Sequence, residues 1–251
     1  MMSNFRKIYK PKIYILIMIK SFNIYENLKK YAVFDTKILN YFLNKSQSYA
    51  NLFRYRLKKN FKLFKIEKNK YTVYNNPFLI ASRIIWPSYM SCWSALSFYK
   101  MTEQIPQTIQ VITVKNKKPI KFLYTKIQFI KIKRENFFGF EKINYDNFEV
   151  FIADKEKTLI DCLLLKEASF SEIRDILNEN IKILNVNRII RYLKIINNSS
   201  LTKRLGFLLE NLGYNAHKRL KDYIDPIYTL LNYSKPVKGK KNEKWRLMLN
   251  D

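Results

Sequence analysis

The 251-residue sequence predicts an α+β chain: an N-terminal winged helix-turn-helix, then a mixed α/β C-terminal domain with a small sheet and several helices. Three observations carry this expectation. Helical and then alternating apolar patterns succeed one another within residues 21–75. Helix-like and strand-like segments intermingle over residues 76–251. Charge is unevenly spread: residues 1–75 hold 17 Lys and Arg against Glu26, Asp35 and Glu67, a net of +14 within the total of +27. A bias toward AT-rich codons would raise lysine everywhere, so this asymmetry is informative.

Residues 1–20 stand apart as an apolar and basic extension. Its run "IYILIMI", Ile13–Ile19, is seven residues long, far short of the ~20 that a spanning helix needs. It lacks a small-residue cleavage site, and Met18 would serve as an alternative initiator. The second segment, 21–75, begins with a helix over Ile24–Ala32, Leu28 and Tyr31 inward. Asp35 is placed to cap a helix over Thr36–Leu43 with Ile38, Leu39 and Phe42 inward. Ser46 caps a longer helix to about Lys59, where Ala50, Phe53 and Leu57 recur at helical spacing. Asn60 is expected to close it in a left-handed conformation. "KLFKIEKNKYTVYN" then alternates as a hairpin turning at "EKNK". Helix, helix–turn–helix and two-stranded wing is the order of a winged helix.

The third segment, 76–251, opens with two expected helices, "NPFLIASRIIW" and "SCWSALSFYKM", the first capped at Asn76 with Pro77 at its first position. Strands are expected near Thr108–Val114, Ile120–Tyr124, Ile127–Ile132 and Phe148–Ile152, with a turn at "FFGF". Helices follow at Ala153–Leu165 (capped by Asp154), Phe170–Asn178, Val186–Ile196 and Leu201–Leu212, and the chain closes on a short strand-like segment. Within "PSYMSCWSALSFYKMTEQIPQTIQVITVK", Tyr89, Trp93, Leu96 and Phe98 read as core and the small Ser and Ala residues as close-packing positions.

Residue chemistry narrows the function. Cys92 and Cys162 have no metal-binding spacing and read as buried, reduced thiols of a cytoplasmic protein. The single histidine, His217, lies in a basic helical stretch, and nothing pairs it with Cys92 as base and nucleophile. The four glycines are scattered, so no phosphate-cradling loop exists. Asp154, Glu156 and Asp161 could bind Mg²⁺ in a nuclease, but capping explains Asp154, and Glu156 points away from the face the other two share. The expectation is a protein that is not an enzyme, with no metal, no cofactor and no membrane association.

A positive surface seeks polyanions. The third helix of the first segment presents Gln47, Ser48, Asn51, Arg54, Tyr55 and Lys58 outward. Asn and Gln can pair bidentately with adenine and Arg with guanine in the major groove. The wing residues Lys65, Lys68 and Lys70 would take phosphate. The reading is a transcriptional regulator that binds double-stranded DNA.

The basic winged-helix pattern is followed by "PFLIASRIIWPSYMSCWSALSFYKMTEQIPQTIQVITVK", "FFGF", "IADKEKTLIDCL", "KRLGFLLENLG" and "KPVKGKKNEKWRLMLN". In that order, over about residues 24–250, the chain resembles the AbiEi-type antitoxins of type IV toxin–antitoxin systems in abortive infection. The resemblance implies an N-terminal winged helix that represses its own operon. It also implies an α/β C-terminal domain that neutralises a nucleotidyltransferase-like toxin, the genetic partner, without a stable complex. It maps the DNA-contacting surface onto Gln47–Lys59 and the wing Lys65–Lys70. The sequence departs from that pattern in its stretch before Ser21 and in a wing turn without glycine. No dimerisation helix stands out, so a monomer or weak dimer on the operator is expected.

Overall fold

Short-range capping sets the first elements of the chain. The computed structural model describes residues 5–250, and the side chains of residues 5–16 and of Gln47 lie outside that description. Helix α1 is Phe5–Leu28, and Ser21, Ile24 and Leu28 lie on its buried face. The expected division at residue 20 therefore falls inside a continuous helix; residues 1–4 and the side chains of Ile13–Leu16 are outside the described set. The helix stops at Leu28 instead of reaching Ala32, which leaves Tyr31 at the surface. After strand β1 (Phe34–Asp35), the Asp35 carboxylate accepts from the amides of Lys37 and Ile38 at 2.9 and 3.0 Å and starts α2 (Thr36–Leu43). A cap of this kind contributes about 1 kcal/mol. Ser46 caps α3 (Gln47–Asn60), whose Ala50, Phe53 and Leu57 are buried as expected.

The left-handed residue occurs at a different asparagine. Asn44 closes α2 at φ 47°, whereas Asn60 remains the last helical residue and the extended Phe61 ends α3. Strands β2 (Phe64–Glu67) and β3 (Lys70–Thr72) form the hairpin, and its turn needs no glycine because Asn69 takes φ 62°. The Asn69 side chain also accepts from the Thr36 amide at 3.2 Å. Strand β3 is central in an antiparallel order β1-β3-β2, with Tyr71 opposite both Phe34 and Lys65. Helix α4 (Pro77–Ala81), capped by Asn76, is shorter than expected, since Arg83–Trp86 continue as turns. The first compact unit runs to Ile84, beyond the expected boundary at 75, and also contains residues 120–125.

The second unit holds residues 85–119 and 126–251. Its first element was not among the expected strands: Ser88–Met90, between the two expected helices, is strand β4, with all three residues buried. Pro87 disfavours a helical residue before it, and β4 is paired on both edges, which buries the segment on every side. Helix α5 begins only at Trp93 (Trp93–Phe98). Strands β5 (Thr108–Thr113), β6 (Ile120–Phe122, grouped with the first unit), β7 (Thr125–Lys131), β8 (Phe140–Tyr145) and β9 (Phe148–Ala153) follow. The sheet of this unit runs β7-β5-β4-β9-β8; β5–β7 and β4–β9 are parallel and the other pairs antiparallel.

Helices α6 (Lys155–Leu164), α7 (Phe170–Asn180), α8 (Val186–Ile196), α9 (Ser199–Asn211) and α10 (Ala216–Leu220) build the larger core. Asp154 caps α6 and Ser169 forms a reciprocal capping box with Glu172 on α7. A last small sheet, β10 (Thr229–Leu230), β11 (Lys240–Asn242) and β12 (Leu247–Leu249), seats the fully buried Trp245 against Gly206, where any Cβ would collide with the indole. The described residues thus form a mixed α+β structure of ten α-helices and three sheets.

Sheet and helices of this unit meet at a buried ion pair. Lys157 and Asp161, one turn apart on α6, are both fully buried and bonded to each other. Asp161 also accepts from Ser91 Oγ at 2.8 Å and Tyr89 Oη at 3.1 Å, while Lys157 Nζ reaches Tyr89 Oη at 3.1 Å. Burial pushes the Asp161 carboxyl up, against the opposing pull of Lys157 and the two hydroxyls. Removing one partner strands the other charge. Lys157→Ala is expected to cost about 3–5 kcal/mol, and replacing both residues with apolar ones of similar volume much less. Urea unfolding of the single and double variants measures the difference.

Candidate nucleic-acid interface

Spacing along α3 divides its residues between core and solvent. Ala50, Phe53 and Leu57 face inward, so Ser48, Asn51, Tyr55 and Lys58 are exposed and Arg54 is half-buried between them. Gln47 is the first helical residue, and its side chain lies outside the described set. Two of these residues are joined. The Arg54 guanidinium donates to Asn51 Oδ1 from one nitrogen and to Tyr71 Oη from another, and its carbon lies 5.2 Å from the Tyr71 ring centre. Arg54 is thereby held on the solvent side of the helix by a residue of β3. Tyr71 was not among the expected site residues. The signal for it is the alternation in "KYTV", which sets it opposite Thr72 across the strand.

The hairpin residues divide. Lys65 on β2 and Lys68 in the turn are exposed. Lys70 is turned back into its own unit: its ammonium donates to the carbonyl of Ile84 and pairs with Glu67 at 2.9 Å. Between α3 and the hairpin lies a groove of about 460 Å³, lined by Arg54, Tyr55, Lys58, Phe64, Lys65 and Tyr71 together with Phe122 and Leu123. Its described lining residues carry three cations, four aromatic rings and no carboxylate. The groove is therefore positively charged and largely aromatic.

Of the three carboxylates of the second unit, Asp154 and Glu156 share Arg188, at 3.8 and 3.1 Å, whereas Asp161 stands apart, contrary to the expectation that Asp154 and Asp161 would share a face. Asp154 accepts from the Lys157 amide at 2.7 Å and from Tyr192 Oη at 2.6 Å. Glu156 accepts from the Asn185 amide at 2.7 Å and from Arg188 at 3.1 Å. Asp161 is sealed in the buried network around Lys157. Among the described residues no group of three or more His, Cys, Asp or Glu is arranged to hold a metal ion. Asp154, Glu156 and Arg188 instead border a polar groove of about 810 Å³ with Tyr99, Glu141 and Arg219. Burial pushes the Asp154 carboxyl up, partly offset by the bonds from Tyr192 and the Lys157 amide.

The remaining nucleophile candidates are packing groups. Cys92 and Cys162 are free and buried, and burial pushes the Cys92 thiol up, away from the reactive thiolate. His217 lies edge-on to Trp245, its Nε2 2.9 Å from the Lys244 carbonyl. Among the described residues no helix is long and apolar enough to cross a membrane.

Together these features define an α+β protein with a basic, aromatic-lined face between one helix and one hairpin. No family model matches the chain, and no curated protein matches it.

The Asp154–Tyr192 bond gives a measurable alkaline signature. Burial and the hydrogen bond to Asp154 push the Tyr192 phenol up to about 12. A group whose folded value is raised contributes stability that is full below its unfolded value and is lost as pH rises toward the folded one. The stability gap between the native protein and Tyr192→Phe should therefore be widest near pH 9, below the ordinary tyrosine value of about 10. It should shrink as the pH approaches about 12, as urea midpoints across that range will record.

Proposed function

We propose that this protein is a transcriptional regulator that binds double-stranded DNA through a winged helix comprising α1 to β3. The observation that carries the reading is the exposed, basic face of α3 beside the hairpin. The element order α1-β1-α2-α3-β2-β3, with β3 between its two partners, supports it, because it puts a helix and a hairpin tip on the same unit. In this reading α3 enters the major groove and Asn51, Arg54 and Gln47 meet base edges, while Lys58, Lys65 and Lys68 take phosphate. Lys70 acts inside the unit by anchoring the hairpin.

The antitoxin role rests on the sequence resemblance to the AbiEi-type proteins. In that reading the DNA site is the protein's own operator, and the second unit acts, without catalysis, against a nucleotidyltransferase-like toxin in the cytoplasm.

Fluorescence anisotropy with the DNA upstream of the gene and with a scrambled duplex, across a salt series, tests the proposal. Preferential binding to the upstream DNA is expected, with a log–log salt slope of about −0.9 for each phosphate neutralised. Equal and salt-fragile binding to both duplexes would overturn sequence-specific regulation. Asn51→Ala and Arg54→Ala should each reduce discrimination by about 1–3 kcal/mol. Their effects should combine less than additively, because the two side chains are bonded to each other. Lys68→Ala should weaken all duplexes alike and lower the salt slope by about one.

A further inference from the structure

The groove beside α3 has a wall from far along the sequence. Residues 120–125 belong to the first unit although 35 residues of the second unit, 85–119, precede them. The segment is divided between inside and outside. Phe122 is buried and lies edge-on to Phe64 of β2, with ring centres 6.1 Å apart. The two residues that follow are open to solvent. Leu123 is 40% exposed and lines the groove, and Tyr124 is 97% exposed.

A two-residue hairpin link such as this one between β6 and β7 calls for a positive φ at its first residue, and two features of how this chain meets that demand stand out. Leu123 adopts φ 54°, a left-handed conformation that costs an ordinary residue roughly 1–2 kcal/mol. A glycine or asparagine would turn the chain there more cheaply. Full exposure of a tyrosine ring at the tip also contributes nothing to the core. The surroundings point to a polyanion: Arg54, Lys58 and Lys65 line the same groove, and Lys121, two positions before Leu123, is exposed.

We propose that Leu123 and Tyr124 form a second DNA-contacting tip beside the hairpin β2–β3, packing on sugar and base edges of a duplex while Lys58, Lys65 and Lys121 hold its phosphates. This inference rests on the DNA-binding reading above. Apolar and aromatic side chains presented at a basic tip suit the minor groove, where proteins insert them against base steps. The Phe122–Phe64 contact is the anchor that fixes the tip to the unit carrying α3, so α3, the hairpin and the tip can engage one duplex together.

The test is anisotropy on the full-length protein with a fluorescein-labelled random-sequence duplex and with its separate single strand. Tyr124→Ala should weaken duplex binding about tenfold. The salt slope should stay unchanged, since no charge is lost. Tyr124→Phe should keep the native affinity. Leu123→Gly should retain or raise the thermal midpoint, because the left-handed turn becomes cheap, and yet weaken duplex binding. If the native protein binds the duplex and Tyr124→Ala binds it equally well, the tip is not a contact and this inference alone fails. If the native protein binds no duplex, the DNA-binding reading fails and takes the tip with it. A loss confined to the single strand overturns the assignment to duplex DNA.

Discussion

The second unit depends on a charge pair that water never reaches. Lys157 and Asp161 sit on α6, the helix that leans on the sheet, and they bind the hydroxyls of Tyr89 in β4 and of Ser91 just after it. Taking both charges out of water is expensive, and only a closed set of partners offsets it. Several other features answer to that demand. The Phe138 ring lies 5.3 Å from the ammonium, and Gly139 lacks a side chain because a Cβ would come within 3.0 Å of the Lys157 chain. The turn into β8 is thus shaped around the lysine stem. Apolar packing alone would leave α6 free to slide along the sheet; the directed bonds to β4 fix its register.

The first unit is built on the opposite plan. Its core runs from Ile24 and Leu28 through Phe53 and Leu57 to Val73, and the polar residues buried in it among the described ones are the uncharged Ser21, Thr72 and Ser82. A polar chain lies at the surface, running from Asn51 through Arg54 to Tyr71. It lowers the conformational freedom of a long side chain at the surface of α3.

Much of this was legible where the determining forces are local. Asp35, Ser46, Asn76 and Asp154 cap the helices they were expected to cap, because a short polar side chain satisfies amides two or three residues away. Val186–Ile196 has the bounds its apolar spacing predicts. The misread segments are set by distant partners. Strand β4 is buried on both faces and shows no alternation, so its three residues gave no strand signal between the two expected helices. Strand β8 was missed because its half-exposed pattern, "FEKINY", gains meaning only beside β9. At the candidate interface, the outward face of α3 followed from its period. The inward turn of Lys70, the part played by Tyr71 and the return of residues 120–125 are tertiary facts that one sequence does not contain.

That return makes the first unit discontinuous in the chain. Phe122 covers Phe64 and completes the wall of the basic groove. A fragment ending at Ile84 would expose the Phe64 ring and leave the groove open on one side. The amino-terminal portion is therefore no detachable module: its surface is finished only after residue 125 has been synthesised, and a gene truncated before that point encodes a sticky, incomplete unit.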